Sequence, residues 1–121
     1  MFLVSRPHIF IIICKFKQKE AMGFLSFIFG GKKRQVEEYI NKGAIILDVR
    51  TQREWGKGHL ENSVHIPLDE LNKRLNEVRS LNKPVIVCCE SGVRSAKAAK
   101  FLNLNTIDAI NGGGWISLNK L

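Results

Sequence analysis

The sequence predicts a three-layer α/β/α domain built on a central parallel sheet. Three short, β-branched apolar runs, Ala44–Val49, Val85–Cys88 and Thr106–Ile110, read as buried strands. Stretches of helical periodicity lie between them. Strands alternating with helices imply right-handed crossovers and a sheet covered on both faces. The run from Pro84 to Ala96 also reads directly as strand, tight loop and helix. At 121 residues the chain has room for one modest core.

The first element is an N-terminal extension, residues 1–32. Ile9–Cys14 is strongly apolar, yet far short of the ~20 residues that span a bilayer, and no small-residue cleavage site follows it. Met1–Ala21 therefore reads as a disordered tail, or as a misassigned start with the natural protein beginning at Met22. In Met22–Arg34, Phe24, Phe27 and Ile28 share one helical face that Leu25 and Phe29 widen, and a basic cluster follows. Contact of Phe24–Phe29 with a membrane surface is one reading of this pattern, and docking on protein is another. Gly30–Gly31 reads as a hinge.

The folded part is expected over 33–121. Val36, Tyr39 and Ile40 repeat at helical spacing from Arg34 to Asn41, and Gly43 supplies the stop. After the Ala44–Val49 strand, Thr51–Trp55 forms a helical turn. Gly56, Gly58 and His59 lead into a second strand at Ser63–Ile66, closed by Pro67. Leu68, Leu71, Leu75 and Val78 place an amphipathic helix over Asp69–Arg79. Ala96, Ala98, Ala99, Phe101 and Leu102 carry the helix after the central strand, and Asn103–Asn105 link it to the strand at Thr106–Ile110. Gly112–Gly114 then turn into a terminal helix of about two turns.

Charge and cysteine content exclude several classes. The net charge of +8 is concentrated in residues 1–34, which hold seven Lys/Arg against one Glu, whereas the remainder holds twelve against ten acidic residues. The fold itself is nearly balanced and carries no basic patch interleaved with aromatics, so nucleic acid is not an expected partner. Three cysteines form no disulfide framework, and adjacent Cys88 and Cys89 have neither zinc-site spacing nor a Cys-x-x-Cys arrangement. Neither a metal nor an organic cofactor is implied. A working thiolate suits a reducing compartment, which makes the cytoplasm the expected location.

Chemistry concentrates at Cys89. It ends a strand and faces a loop whose free N–H groups, together with the dipole of the following helix, favour an anion. Such a position can lower a thiol pKa from ~8.5 into the range of roughly 3.5–7.5. Gly92 allows close backbone approach, Ser91 and Ser95 can hydrogen-bond locally, and Arg94 adds a permanent positive charge. Cys88 reads as a small core residue ending the strand. Asp48 and Arg50 stand where charge reappears at the end of the first strand.

Cys89-Glu90-Ser91-Gly92-Val93-Arg94-Ser95 resembles the Cys-x-x-Gly-x-Arg-Ser active-site loop of single-domain rhodaneses, which are sulfurtransferases. Leu47-Asp48-Val49-Arg50, Glu54, Gly58-His59-Leu60, Asn62–Pro67 and Asn111–Trp115 match in family order. The resemblance covers about Lys33 to Leu121 and implies the rhodanese fold over 33–121. It makes Cys89 the nucleophile, with Glu90, Ser91, Gly92, Val93, Arg94 and Ser95 forming the anion-binding loop. Asp48 and Arg50 would support that loop at the site mouth. His59 matches a structural Gly-His turn, and His65 reads as packing.

The implied reaction moves sulfane sulfur by double displacement. Cys89 takes sulfur from thiosulfate or a persulfide and hands it to cyanide, a thiol or a protein cysteine. The expected partners are these small molecules, with a protein thiol as a further acceptor, and the expected state is a monomer. Two alternatives stand beside this. One is a non-enzymatic persulfide carrier or interaction module. The other is a cysteine phosphatase, since Cys88 begins a Cys-x5-Arg-Ser spacing. Against the phosphatase, Val87 replaces the histidine before the nucleophile, and the glycine falls three residues after Cys89 rather than Cys88.

Overall fold

The computed structural model describes residues 31–121, so the readings for Met1–Ala21, the Met22 start and Phe24–Phe29 lie outside the described residues. Val36–Leu121 forms one compact unit. Its elements run α1 (Gly31–Asn41), β1 (Ile45–Asp48), α2 (Gln52–Lys57), β2 (Val64–His65), a 3₁₀ turn (Leu68–Glu70), α3 (Leu75–Leu81), β3 (Val85–Cys89), α4 (Val93–Leu104), β4 (Ala109–Gly114) and α5 (Trp115–Asn119). Gly31 opens α1, and Gly30, the other half of the expected hinge, lies outside the described residues.

The strands form one parallel sheet in the order β2-β1-β3-β4. Its side chains alternate between two covered faces, as strand geometry requires. Val85, Val87 and Cys89 join Val78 of α3 and Ala98, Ala99 and Leu102 of α4. Ile86 and Cys88 join Val36 of α1, Ile110 of β4 and Leu118 of α5. This is the three-layer α/β/α arrangement that the alternating pattern predicts.

Two elements differ from expectation. The helix expected at Asp69–Arg79 begins only at Leu75. Before it, Glu70 N–H donates to Pro67 O at 2.9 Å and Leu71 N–H to Leu68 O at 3.3 Å. These three-residue steps bring Leu68 and Leu71 to the same side, so both meet the core without an α-helical turn.

The last strand is Ala109–Gly114, not Thr106–Ile110. Thr106 takes a positive φ of 62° and closes the end of α4 instead. The Asn103 side chain then binds both backbone groups of Ala109, each at 2.9 Å. The glycine run extends the strand because no side chain fits there. A Cβ on Gly112 would lie 2.6 Å from Ile86 Cγ2, and one on Gly114 would lie 2.8 Å from the Glu90 carbonyl oxygen. Glycine weakens strands by propensity, but here it permits a close approach.

Candidate active site

The chain passes from β1 outward to β2, then returns to place β3 on the other side of β1. Parallel sheets bind ligands beyond the carboxyl ends of the strands at such a reversal. Asp48 ends β1 and Cys89 ends β3 at this point.

Beyond Cys89 the backbone folds back over the sulfur. Gly92 caps α4 with a φ of 99°, a conformation that other residues reach only with strain. This turn aims the Gly92 N–H at Cys89 Sγ, 3.0 Å away, and the Ser95 N–H approaches to 3.4 Å. Burial pushes the Cys89 thiol up. The Ser95 hydroxyl and the amides of Ser95, Gly92 and Ser91 outweigh that effect and hold it below the ordinary thiol value. Cys89 has no exposed surface, so a donor reaches its sulfur only as the loop yields.

The Ser95 hydroxyl lies 3.3 Å from Cys89 Sγ and 2.6 Å from Asn111 Oδ1. It has one proton for two acceptors. When sulfur is a thiol, the S–H donates to Ser95 and the hydroxyl donates to Asn111. When sulfur is a thiolate, the hydroxyl proton turns to sulfur. Asn111 Oδ1 still accepts the Gly113 N–H at 2.9 Å, so the turn leaves no acceptor empty. The Asn111 amide also donates to Gly92 O at 3.0 Å, which ties β4 to the loop.

Arg94 faces Glu54 rather than the sulfur. Its two terminal nitrogens grip Glu54 Oε1 and Oε2 at 2.6 and 2.9 Å. The Arg94 hydrogen bond is the chief reason that the Glu54 carboxyl falls to about 2. Glu54 is itself fixed by a capping box with Thr51 at the start of α2. Sequence reasoning matched Glu54 to a motif but did not see this partnership. The Thr51-x-x-Glu54 pattern would have fixed its position.

Asp48 and Arg50 form a buried fork beside the loop. Arg50 Nη2 binds Asp48 Oδ2 at 2.7 Å and the Gly58 carbonyl at 2.8 Å. Its guanidinium stacks 4.5 Å from the Trp115 ring centre, and Nη1 stands 3.7 Å from Glu90 Oε2. Trp115 Nε1–H donates to the same Glu90 oxygen at 3.3 Å. Of the residues singled out from sequence, Ser91, Gly92 and Ser95 meet the sulfur, while Glu90, Asp48 and Arg50 form an adjoining polar cluster. Val93 stands 64% exposed at the start of α4. Asn111 and Trp115, read from sequence only as part of a closing turn, make these contacts from β4 and α5.

Cys88 points into the opposite layer. Burial, seconded by the Asp48 charge, pushes its thiol up to about 12. It is therefore unsuited to be the nucleophile that a phosphatase register requires. His59 and His65 both stack on the Trp55 ring, at centroid distances of 3.6 and 4.6 Å. His65 Nε2–H donates to Arg50 O at 2.8 Å. Among the described residues no cluster of three or more His, Cys, Asp or Glu side chains is placed to hold a metal ion. Nor is any described helix long and apolar enough to cross a membrane.

A family model described as the rhodanese-like domain matches residues 32–115. The chain belongs to the rhodanese-like family. Protein YqhL of Bacillus subtilis is 40% identical over 76 residues, which cover 60% of each chain. YrkF of Bacillus subtilis, named as a candidate sulfur carrier protein, is 47% identical over 46% of this chain and 29% of its own. The chain thus spans less than two thirds of these two relatives. The thiosulfate sulfurtransferase GlpE of Actinobacillus pleuropneumoniae is 32% identical over 62% of this rhodanese-like chain and 73% of its own. A crystal structure of a rhodanese-like domain protein from Staphylococcus aureus superposes with a TM-score of 0.57 at 38% identity, covering 61% of this chain and 72% of that one.

Proposed function

We propose that this rhodanese-like protein is a sulfurtransferase whose Cys89 carries the sulfur. The observation behind this is the depressed Cys89 thiol held by the Gly92 and Ser95 amides at the end of β3. A thiolate so held attacks the outer sulfur of thiosulfate or of an organic persulfide. The donor S–S bond breaks, and its electron pair leaves with sulfite or with a thiolate. The product is a Cys89 persulfide, whose charge the loop amides receive as they received the thiolate. An acceptor, which is cyanide, a small thiol or a protein cysteine, then attacks the outer sulfur and releases the Cys89 thiolate. Two half-reactions through one covalent intermediate predict ping-pong kinetics.

A reducing compartment such as the cytoplasm suits this chemistry, and a monomer suffices for it because every group named comes from one chain. The match to YrkF favours a second reading, a persulfide carrier with slow turnover. Intact-mass measurement after incubation with thiosulfate, and separately with a persulfide, tests both. The expected result is a gain of one sulfur atom that Cys89→Ser abolishes. Sulfur loading without steady-state turnover to cyanide or a protein thiol would select the carrier. No loading from either donor would overturn sulfur transfer.

A further inference from the structure

Beside the loop, two arginines, Arg50 and Arg94, pair with three carboxylates, Asp48, Glu54 and Glu90. Arg94 is neutralised by the fork to Glu54, and Arg50 by the fork to Asp48. Glu90 then remains as a third carboxylate, next in sequence to the reacting cysteine and 54% exposed. Its neighbours are Trp115 Nε1–H at 3.3 Å and, more loosely, the already paired Arg50 at 3.7 Å. Arg53 and Lys57 on α2 and Lys97 on α4 are exposed and form no ion pair with Glu90, and water and salt screen them as they screen Glu90 itself. A donor must therefore bring its sulfur to a thiolate one residue from this carboxylate, which rests on Trp115 and Arg50. Thiosulfate carries two negative charges into that field, whereas the persulfide group of an organic donor carries at most one. The exposed Val93 side chain at the start of α4 offers an apolar surface to an organic group.

Resting on the sulfurtransferase reading above, we propose that Glu90 is a specificity-determining residue that selects low-charge organic persulfides over thiosulfate as sulfur donors. In the favoured half-reaction the Cys89 thiolate attacks the outer sulfur of R–S–SH. The S–S bond of the donor breaks, R–S⁻ leaves with its electron pair, and Cys89–S–SH remains. Charge and atoms balance without an external oxidant.

The test compares kcat/KM for thiosulfate with that for 2-hydroxyethyl persulfide in the full chain, in wild type and in Glu90→Gln, Glu90→Lys and Glu90→Asp. Removing the carboxylate should raise the thiosulfate-to-persulfide ratio about tenfold at low ionic strength. Glu90→Lys should raise it further, and Glu90→Asp should stay near wild type. Added salt should speed the thiosulfate reaction of wild type, and this dependence should fade in Glu90→Gln. A ratio that moves by less than about twofold in both Glu90→Gln and Glu90→Lys overturns the proposal while sulfur transfer stands. So does an equal change with both donors, which would mean that Glu90 acts only by positioning Trp115. Wild type that accepts sulfur from neither donor overturns the sulfurtransferase reading itself, and the selectivity with it.

Discussion

At the scale of single residues, the thiols of two neighbouring cysteines are pushed in opposite directions, Cys88 up and Cys89 down, because their surroundings differ. Cys89→Ser should abolish persulfide formation. Cys88→Ser should keep it, but should lower the denaturation free energy by about 1–3 kcal/mol by burying a hydroxyl in an apolar layer. Essential Cys88 in that comparison would contradict the site. Ser95→Ala should shift the pH profile of Cys89 alkylation upward, since it removes a donor to the thiolate, and Arg94→Ala should shift it less because Arg94 is bound to Glu54. An equal upward shift in both would show that Arg94 acts directly on the sulfur. The place of Cys89 at the end of its strand was legible from sequence because strand, loop and helix are contiguous. The grip of Arg94 was not, because its partner Glu54 lies 40 residues away and no periodicity reports such a pairing.

At the scale of elements, the Glu54–Arg94 fork braces α2 against α4. The Glu54 carboxyl is depressed by its Arg94 hydrogen bond, so the stabilisation is complete above the ordinary carboxyl value. It is lost as pH falls from 4.5 towards about 2. Glu54→Gln should therefore flatten acid denaturation in that window, by about 1 kcal/mol after allowing for solvent screening. An acid denaturation curve unchanged by the substitution would remove the brace. Gly114→Ala should press a methyl group against the Glu90 carbonyl, 2.8 Å away, and move the loop. The expected cost is about 1–3 kcal/mol in thermal denaturation, with a larger proportional loss of sulfur transfer. The start of β4 was misplaced by sequence reasoning for the same physical reason. Thr106 and Ile107 fit a strand by propensity, whereas the glycines enter the sheet through contacts that only the fold creates.

At the scale of the whole molecule, the parallel sheet and its two helical layers were legible because the apolar runs and helical periods alternate cleanly. The contacts that close the site, from Asn111 and Trp115, are not, since β4 and α5 meet the loop only through tertiary packing. All groups named in the site lie within Val36–Leu121. Removing residues 1–30 should therefore change Cys89 alkylation and the denaturation midpoint little, within about 0.5 kcal/mol. A truncated chain that fails to fold would show that those residues complete the core. The same sheet is also a wall between two thiols adjacent in sequence. In a Cys14→Ser chain, a small alkylating reagent should count one thiol quickly, through local yielding of the loop. The second count, at Cys88, must wait for the sheet to come apart. That delay makes Cys88 a clock for global opening. It reads the unfolding equilibrium where reclosing outpaces trapping and the unfolding rate where trapping wins.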